Sequence, residues 1–348
     1  MIIVVDSKPV RPGDADSFLK DCFEELAKQF PRHKIIFTEP DPSTSALKMS
    51  FRYQYRVPAF LKKNNADVFI SLAGISTRTK VSQFLLVNDL SVFERPSFFP
   101  RSVVRFYKKR FRRSIENAKN IIALSENAKQ ALVEKFPDAD PKIIVLDKYA
   151  DDNFIPVPDF VNAAIKHKYT EDKEFFLYSG SIDKSKNLIN VLKAFSFFKK
   201  RQKSNMQMVI MGVADVEFKD QLRSYKYRDE VKLLEDVQSI ETFQITASAY
   251  AMVCPVYVEA ITPHAMEAMQ CSVPVISNDR PSLPAPCAEA CLKAAPDNVS
   301  GIAEQMMLVF KDEKRRAEMI QKGNEAMQSF SKERTLTKLA EILSLSKA

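Results

Sequence analysis

Two glutamates, Glu259 and Glu267, lie eight positions apart in the stretch "YVEAITPHAMEAM". Carboxylates can accept hydrogen bonds from the hydroxyl groups of a sugar or a ribose. Between them, Thr262 and Pro263 are typical of the N-cap and first position of a helix, which would place Glu267 in its second turn. The apolar run "AMVCP" precedes the pair, so Glu259 would lie on the loop after a strand. The two carboxylates are candidates for a ligand site; the alternative is a pair of charges on a scaffold without chemistry.

A glycine and two lysines form a second candidate, directly after the predicted strand "FFLYSG". Gly180 permits a tight turn, and Lys184 and Lys186 lie just before a helix that is predicted to begin near Asn187. The amide dipoles of a helix N-terminus and nearby ammonium groups both favour an anion. The pattern therefore indicates a diphosphate site, with two solvated loop lysines as the alternative.

Strands and helices alternate along the whole chain, and together they must position these residues. Such alternation is typical of parallel sheets that are covered by helices on both faces. Two successive series predict an α/β protein with two Rossmann-like, doubly wound domains that face a cleft, with ligands at the carboxyl ends of the strands. The predicted strands are Ile2–Val5, Lys34–Thr38, Val68–Leu72, Phe84–Val87, Asn120–Ala123, Lys142–Leu146, Phe175–Tyr178, Met206–Met211, Val231–Leu234, Met252–Cys254 and Pro274–Ser277, and the main predicted helices are Asp16–Gln29, Ser125–Phe136, Leu188–Arg201 and Val299–Ser329.

The segment "YADDNFIPVPDF", residues 149–160, is the predicted joint between the domains, because Asp and Pro interrupt the pattern there. Residues 1–155 are assigned to a first domain and 156–330 to a second. Residues 331–348 are predicted to form a helix that packs apart from the second domain and is a candidate for crossing back to the first.

Over essentially the whole chain, the order of motifs resembles the glycosyltransferase group 1 family, which has the two-domain GT-B fold. In the second domain the resemblance rests on Gly180, on Lys186 followed by Asn187, on the paired glutamates and on "SVPVISNDRPSLP". In the first domain "NADVFIS", "LLVNDLSVF" and "NAKNIIALSENAKQALVEKF" follow the family order. The resemblance implies transfer of a sugar, with retention, from a nucleotide-sugar donor to a glycan or lipid-linked acceptor.

The same resemblance implies roles for individual residues. Glu259 would contact the donor sugar, and Asn88, which stands where the family has a histidine, would be a second catalytic residue. The donor nucleotide would be held by Gly180, Lys184, Lys186, Glu267, Thr262 and Val237. No metal and no further cofactor are expected, since positive side chains and helix ends would balance the leaving group.

Several positions depart from the family pattern. Ala260-Ile261-Thr262 replaces Gly-Phe-Gly, Ser181 replaces an arginine, and glycines are replaced by Glu235 and Ser272. Glycine lets backbone amides approach a phosphate closely, and arginine supplies a permanent charge with a bidentate fork. Two hypotheses therefore stay open: an active glycosyltransferase in polysaccharide assembly, and a non-catalytic relative that serves as a binding or scaffolding subunit.

The net charge of +8 is concentrated in the run Arg101–Lys119, where eight basic residues accompany Glu116. Its apolar residues Val104, Tyr107, Phe111 and Ile115 are predicted to share one helix face. A basic amphipathic helix can lie on an anionic membrane; the alternative is a covering helix with solvated charges. Nucleic acid is disfavoured, because no binding module or aromatic platform accompanies the run.

Other classes are disfavoured by composition and motif. No stretch approaches the roughly 20 apolar residues of a membrane span, and the N-terminus "MIIVVDSKPV" is predicted to be a strand instead of a signal peptide. Five scattered cysteines indicate reduced thiols. A dinucleotide dehydrogenase is disfavoured because G-x-G-x-x-G is absent. The expected location is the cytoplasm, peripheral on the inner face of the membrane.

Overall fold

The computed structural model describes residues 1–6, 14–38, 46–87, 90–94, 96–182, 186–257, 263–279 and 283–345. It divides into two compact units. Unit 1 comprises Met1–Lys148 and the chain from Glu333 onward, and unit 2 comprises Tyr149–Lys332. In unit 1, Thr335 near the C-terminus donates a hydrogen bond through Oγ1 to the backbone oxygen of Asp147, at 2.9 Å.

Unit 1 contains a six-stranded parallel sheet in the order β2-β1-β3-β4-β5-β6. Five of its strands are short β-branched and aliphatic runs that are mostly buried, as expected for a sheet covered on both faces. The residues of the edge strand β2 are half-buried or exposed. The strand order reverses between β1 and β3, whose residues Asp6 and Ser71 are register partners at the carboxyl end. The strands are β1 Ile2–Asp6, β2 Lys34–Phe37, β3 Val68–Ser71, β4 Ser82–Val87, β5 Asn120–Ala123 and β6 Ile143–Val145.

Helices cover this sheet, and one helical segment changes its hydrogen-bond pattern midway. A π-helical turn, Arg52–Arg56, joins two short α-helices into one continuous segment, residues 46–63. The helices of unit 1 are α1 Asp14–Gln29, α2 Ala46–Phe51, α3 Val57–Lys63, α4 Ser91–Glu94, α5 Arg101–Asn117 and α6 Glu126–Lys135, and the C-terminal helix, α15, is Lys332–Ile342.

Unit 2 contains a second six-stranded parallel sheet, in the order β12-β11-β10-β7-β8-β9. The order reverses between β7 and β10, which is the position where doubly wound sheets bind ligands. Eleven predicted strands are found within two residues of their predicted ends, but β12 was not predicted, since its three residues form no apolar run. The strands are β7 Phe175–Ser179, β8 Gln207–Met211, β9 Val231–Leu234, β10 Ala251–Cys254, β11 Val275–Asn278 and β12 Leu292–Ala294.

The helix predicted over Val299–Ser329 is two helices, so that prediction was wrong. Asp312 interrupts it with non-helical backbone (φ −109°, ψ 86°), and its side chain accepts a hydrogen bond from the backbone N–H of Arg315 at 2.9 Å. This N-cap begins a new helix. The helices of unit 2 are α7 Asp159–Thr170, α8 Leu188–Gln202, α9 Val216–Arg223, α10 Ser239–Ala247, α11 Pro263–Gln270, α12 Ala285–Glu289, α13 Val299–Lys311 and α14 Glu313–Met327.

None of the helices in the described part of the chain combines the length and the apolar character that crossing a membrane requires.

Candidate functional site

The carboxyl ends of β7 and β8 approach each other through two glycines. Gly180 and Gly212 have φ of +131° and +146°, which L side chains rarely adopt. A Cβ on Gly212 would lie 1.9 Å from the backbone oxygen of Gly180, so only glycine fits there. The Gly180 N–H donates to the oxygen of Met211 at 3.0 Å, which extends the pairing of the strands into the loops. The two glycines therefore let the backbones of the two loops approach closely, because neither residue has a side chain of its own.

His264, in the first turn of α11, packs directly against Gly180. A Cβ on Gly180 would lie 3.1 Å from Cδ2 and 3.3 Å from Nε2 of the imidazole. The Nδ1 atom of the same ring lies 2.7 Å from Oε2 of Glu267. Both side chains are largely enclosed, with 18% and 16% of their surface exposed. The structure therefore brings Gly180 and Glu267, two residues predicted for one site, to opposite sides of one imidazole ring.

Asn187 connects the N-terminus of α8 to two loops of the same sheet edge. Its backbone is left-handed, with φ 62°, a conformation that Asn tolerates better than most residues. The buried side chain donates through Nδ2 to the backbone oxygens of Pro255 at 2.8 Å and Pro296 at 2.7 Å. These prolines follow β10 and β12, so one amide group fixes the positions of three loops. Lys186, half-buried, precedes Asn187 directly.

Tyr257, the last described residue before Glu259, belongs to the same network. Its hydroxyl accepts a hydrogen bond from Nδ2 of Asn190 at 2.9 Å and donates to Oδ1 of Asp297 at 2.8 Å. Asn190 also donates to the oxygen of Pro296, at 3.2 Å. The chain that leads to the predicted catalytic glutamate therefore starts at a tyrosine whose hydroxyl is fixed by two hydrogen bonds.

Glu235 lies on the loop after β9 and contacts the loop after β8. The family resemblance leads us to expect glycine at this position. One carboxylate oxygen accepts from the backbone N–H of Ala214 at 3.1 Å, and the other lies 2.7 Å from Nζ of Lys219. The hydrogen bond from Lys219, and then that from Ala214, lower the pKa of Glu235. The side chain of Glu235 therefore holds the loop after β9 to Ala214 and Lys219 through a hydrogen bond and a salt bridge, which a glycine at this position could not form. Val237, predicted to contact the nucleotide, follows two residues later and is half-buried.

The described structure contains four of the predicted site residues: Gly180, Lys186, Glu267 and Val237. Gly180, Lys186 and Val237 lie on loops at the carboxyl edge of the unit 2 sheet, and Glu267 lies in the second turn of α11. The other four, Glu259, Asn88, Lys184 and Thr262, lie outside the described residues.

Sequence reasoning missed the bond between His264 and Glu267 and the roles of Asn187 and Tyr257. The three-residue spacing of His264 and Glu267 on a predicted helix was a usable signal for the first, because side chains three apart are neighbours. Nothing local indicated the others. Within the described ranges, no three His, Cys, Asp or Glu side chains come together as a metal site would require.

Residues 162–326 match the family Glycosyl transferases group 1. Among characterised proteins, the chain is 24% identical over 255 residues to the O-antigen chain mannosyltransferase B of Escherichia coli, covering 72% of this chain and 67% of that protein.

Solved structures share the fold over the full length. WaaG, a glycosyltransferase involved in lipopolysaccharide biosynthesis, superimposes with a TM-score of 0.80 at 13% identity and covers 100% of both chains. HepE of Anabaena, solved in complex with UDP and glucose, gives a TM-score of 0.74 at 15% identity and covers 99% of both. At such identities the likeness shows the fold, which confirms the prediction of two Rossmann-like domains of the GT-B type. The family match lies within unit 2, and over these residues the chain is similar to the group 1 glycosyltransferases.

Proposed function

We propose that the protein transfers a hexose from a nucleotide-sugar donor to a glycan or lipid-linked acceptor in the assembly of a polysaccharide, with retention of the anomeric configuration. The family match and the likeness to a protein named as an O-antigen mannosyltransferase support the reaction class. A related structure that binds UDP-glucose supports a nucleotide-sugar donor. The observation that carries the proposal is the cluster of Gly180, His264 and Glu267 at the sheet edge where such a donor would bind.

The donor diphosphate would bind at the N-terminus of α8, beside Gly180. Lys186 and Lys184 would supply positive charge, and the first amides of α8 would add hydrogen bonds and a favourable dipole. This arrangement stabilises the negative charge that develops on the diphosphate as the glycosidic bond breaks. In this proposal no metal ion takes part.

The two glutamates would hold the rest of the donor. Glu267 would accept hydrogen bonds from the ribose hydroxyls, with its orientation held by Nδ1 of His264. Glu259 would contact the sugar, and Thr262 and Val237 would line the nucleotide. Unit 1 would bind the acceptor, with Asn88 at the reacting end, and the enzyme would work in the cytoplasm at the inner face of a membrane.

A non-catalytic role is the second candidate, and Glu235 is the observation that favours it. Its carboxylate forms a salt bridge and a backbone hydrogen bond across two loops where the family pattern has an unhindered glycine. A negative charge there disfavours a diphosphate nearby. A protein with this site blocked would keep the fold and serve as a binding subunit.

Calorimetric titration of the purified protein with UDP, GDP, ADP and their sugar conjugates separates the two candidates. Micromolar binding of one nucleotide, weakened in Lys186→Ala and retained in Lys193→Ala, would support the transferase. Lys193 is the matched control because it is an exposed lysine within α8, the helix that begins just after Lys186. No binding by any nucleotide, from a protein with a normal thermal unfolding transition, would overturn the proposed donor site and favour the subunit role.

A further inference from the structure

Three large apolar side chains of unit 1 point into solvent from one helical segment. Leu47, Phe51 and Tyr55 are 83%, 57% and 56% exposed. They repeat at four-residue spacing along the segment 46–63, and the rings of Phe51 and Tyr55 lie 5.3 Å apart. Among the described residues of unit 1, Met1 is the only other exposed large apolar residue. We refer to Leu47, Phe51 and Tyr55 as the apolar stripe.

The opposite side of the segment is anchored, so the stripe cannot turn inward. Arg52 reaches Oδ1 of Asp6 at the end of β1 through Nη2, at 2.5 Å, and both side chains are buried. The π-helical turn presents the backbone oxygen of Tyr53 to the hydroxyl of Thr77, at 2.5 Å. Tyr53 itself is fully buried. With these contacts on its inner face, the segment leaves the stripe outside.

Positive charge surrounds the stripe on the same segment. Lys48 and Arg56 line a shallow depression together with Leu47 and Phe51, and Lys62 and Lys63 are exposed at the end of α3. No aspartate or glutamate occurs between residues 46 and 66. The surface of this segment therefore combines apolar side chains with positively charged ones and has no negatively charged ones.

Helix α5 lies beside this segment and extends the basic area. Arg110 donates through its guanidinium to Oγ of Ser50 at 2.9 Å and to Oε1 of Gln54 at 3.4 Å. The apolar side of α5 is packed into unit 1, where Val103, Phe106, Tyr107, Phe111 and Ile115 are buried. Its outer side exposes Arg101, Arg105, Lys108, Lys109, Arg112 and Arg113.

This packing revises the expectation that α5 lies on lipid through its own apolar face. Three of the four residues predicted for that face, Tyr107, Phe111 and Ile115, are buried in unit 1, and Val104 is half-buried. Helix α5 can therefore supply charge to an external surface, but of its apolar side chains only the half-buried Val104 reaches solvent.

We propose that the apolar stripe and its basic surroundings dock unit 1 on an anionic lipid bilayer. Leu47, Phe51 and Tyr55 enter the boundary between headgroups and acyl chains, while the surrounding lysines and arginines meet the lipid phosphates. The absence of acidic residues along the segment argues for a uniformly anionic surface. The proposal stands independently of nucleotide binding in unit 2.

A tryptophan at the centre of the stripe tests the insertion directly, because the protein contains no tryptophan. In the full-length Phe51→Trp variant, we expect a blue shift of emission, and quenching by brominated acyl chains, on vesicles of equimolar phosphatidylcholine and phosphatidylglycerol. Pure phosphatidylcholine should give neither effect. The matched control is Phe160→Trp in unit 2, where the native side chain is 76% exposed and no shift is expected.

Replacing the three residues of the apolar stripe tests how much they contribute to binding of the protein to anionic vesicles. In co-sedimentation with the anionic vesicles, Leu47→Ser/Phe51→Ser/Tyr55→Ser should bind at least about tenfold more weakly than the native protein. Phe160→Ser/Phe197→Ser/Ile240→Ser, which removes three exposed apolar residues of unit 2, should bind like the native protein. Raised salt should weaken native binding.

Three outcomes would overturn the proposal: no blue shift of Phe51→Trp on anionic vesicles, native-like vesicle binding by the serine variant of the stripe, or a shift that needs no lipid and grows with protein concentration. The last would assign the stripe to contact with a second copy of the chain.

Discussion

The Nδ1 atom of His264 lies 2.7 Å from Oε2 of Glu267, one turn further along α11, and the same ring packs against Gly180. The carboxylate is thereby held near the carboxyl edge of the sheet, with 16% of the side-chain surface exposed. A pair three residues apart on a helix adds only about 0.2–0.5 kcal/mol to stability. Its main effect is therefore on the orientation of Glu267 in the proposed donor site.

Glu267→Ala should weaken nucleotide binding by about 10- to 100-fold. A charge-assisted hydrogen bond contributes about 1.5–3 kcal/mol, and about 1.4 kcal/mol corresponds to a factor of ten. The melting temperature should change little, because the side chain is not part of the core. Calorimetry with the preferred nucleotide measures the effect, and Glu304→Ala, an exposed glutamate on α13, is the control. Equal affinity of the native and Glu267→Ala proteins would show that the ribose role is wrong.

Gly180→Ala should destabilise unit 2 by about 1–3 kcal/mol, the cost of holding a side chain in a sparsely populated backbone conformation. The added Cβ would also press on His264 at 3.1 Å, so nucleotide affinity should fall as well. Urea unfolding measures the first effect and calorimetry the second. Gly323→Ala, which lies inside α14 near Met269, is the control and should stay within about 1 kcal/mol of the native protein. Native stability and affinity in Gly180→Ala would contradict the described geometry.

Tyr257→Phe should lower the rate of sugar transfer about tenfold and leave nucleotide affinity within a factor of two. It removes the hydroxyl that joins Asn190 to Asp297, each bond contributing about 1 kcal/mol. The loss removes the two bonds that hold Tyr257, two residues before Glu259, but leaves Lys186 and Glu267 untouched. Steady-state kinetics and calorimetry together check the split. A parallel loss of both quantities would indicate a general structural role instead.

Arg52→Met should lower the free energy of unfolding of unit 1 by about 3–5 kcal/mol. The substitution leaves the buried carboxylate of Asp6 without its charged partner, which costs more than the pair contributes. Lys62, on the same helical segment, is exposed. The free energy of unfolding of Lys62→Met should therefore stay within about 0.5 kcal/mol of that of the native protein. Urea titration followed by circular dichroism distinguishes the two. Similar midpoints for both variants would refute the buried pair.

The described cysteines should resist thiol reagents in the native protein. All five are buried, and burial raises the pKa of Cys271 and of Cys287 from 9.0 to about 12. Both thiols thus keep their protons in the folded state at pH values where the unfolded chain begins to lose them. The associated stability is fully present below pH 9.0 and is lost as the pH rises toward about 12. Ellman's reagent should label the protein only after unfolding, and rapid native labelling at neutral pH would contradict this burial.

The sequence alone determined the fold class and most of the elements. Runs such as Phe175–Ser179 and Gln207–Met211 are apolar along their whole length, and that pattern is local enough to identify a buried parallel strand. Strand β12 could not be found in this way, because its three residues have a place in the sheet only through pairing with β11. Likewise, Gly180 and Glu267 were selected from motif order, whereas the imidazole between them became visible only in three dimensions.

Tertiary structure alone decided which groups meet and which surfaces stay outside. Asn187 fixes loops that lie 68 and 109 positions further along the chain, and no local pattern encodes contacts over such separations. Helix α5 and the segment 46–63 both combine aromatic and basic residues, so their sequences alone do not distinguish a buried apolar face from an exposed one. Packing on the sheet makes that distinction, because the sheet and its neighbouring helices cover the apolar side of α5 and leave Leu47, Phe51 and Tyr55 in solvent.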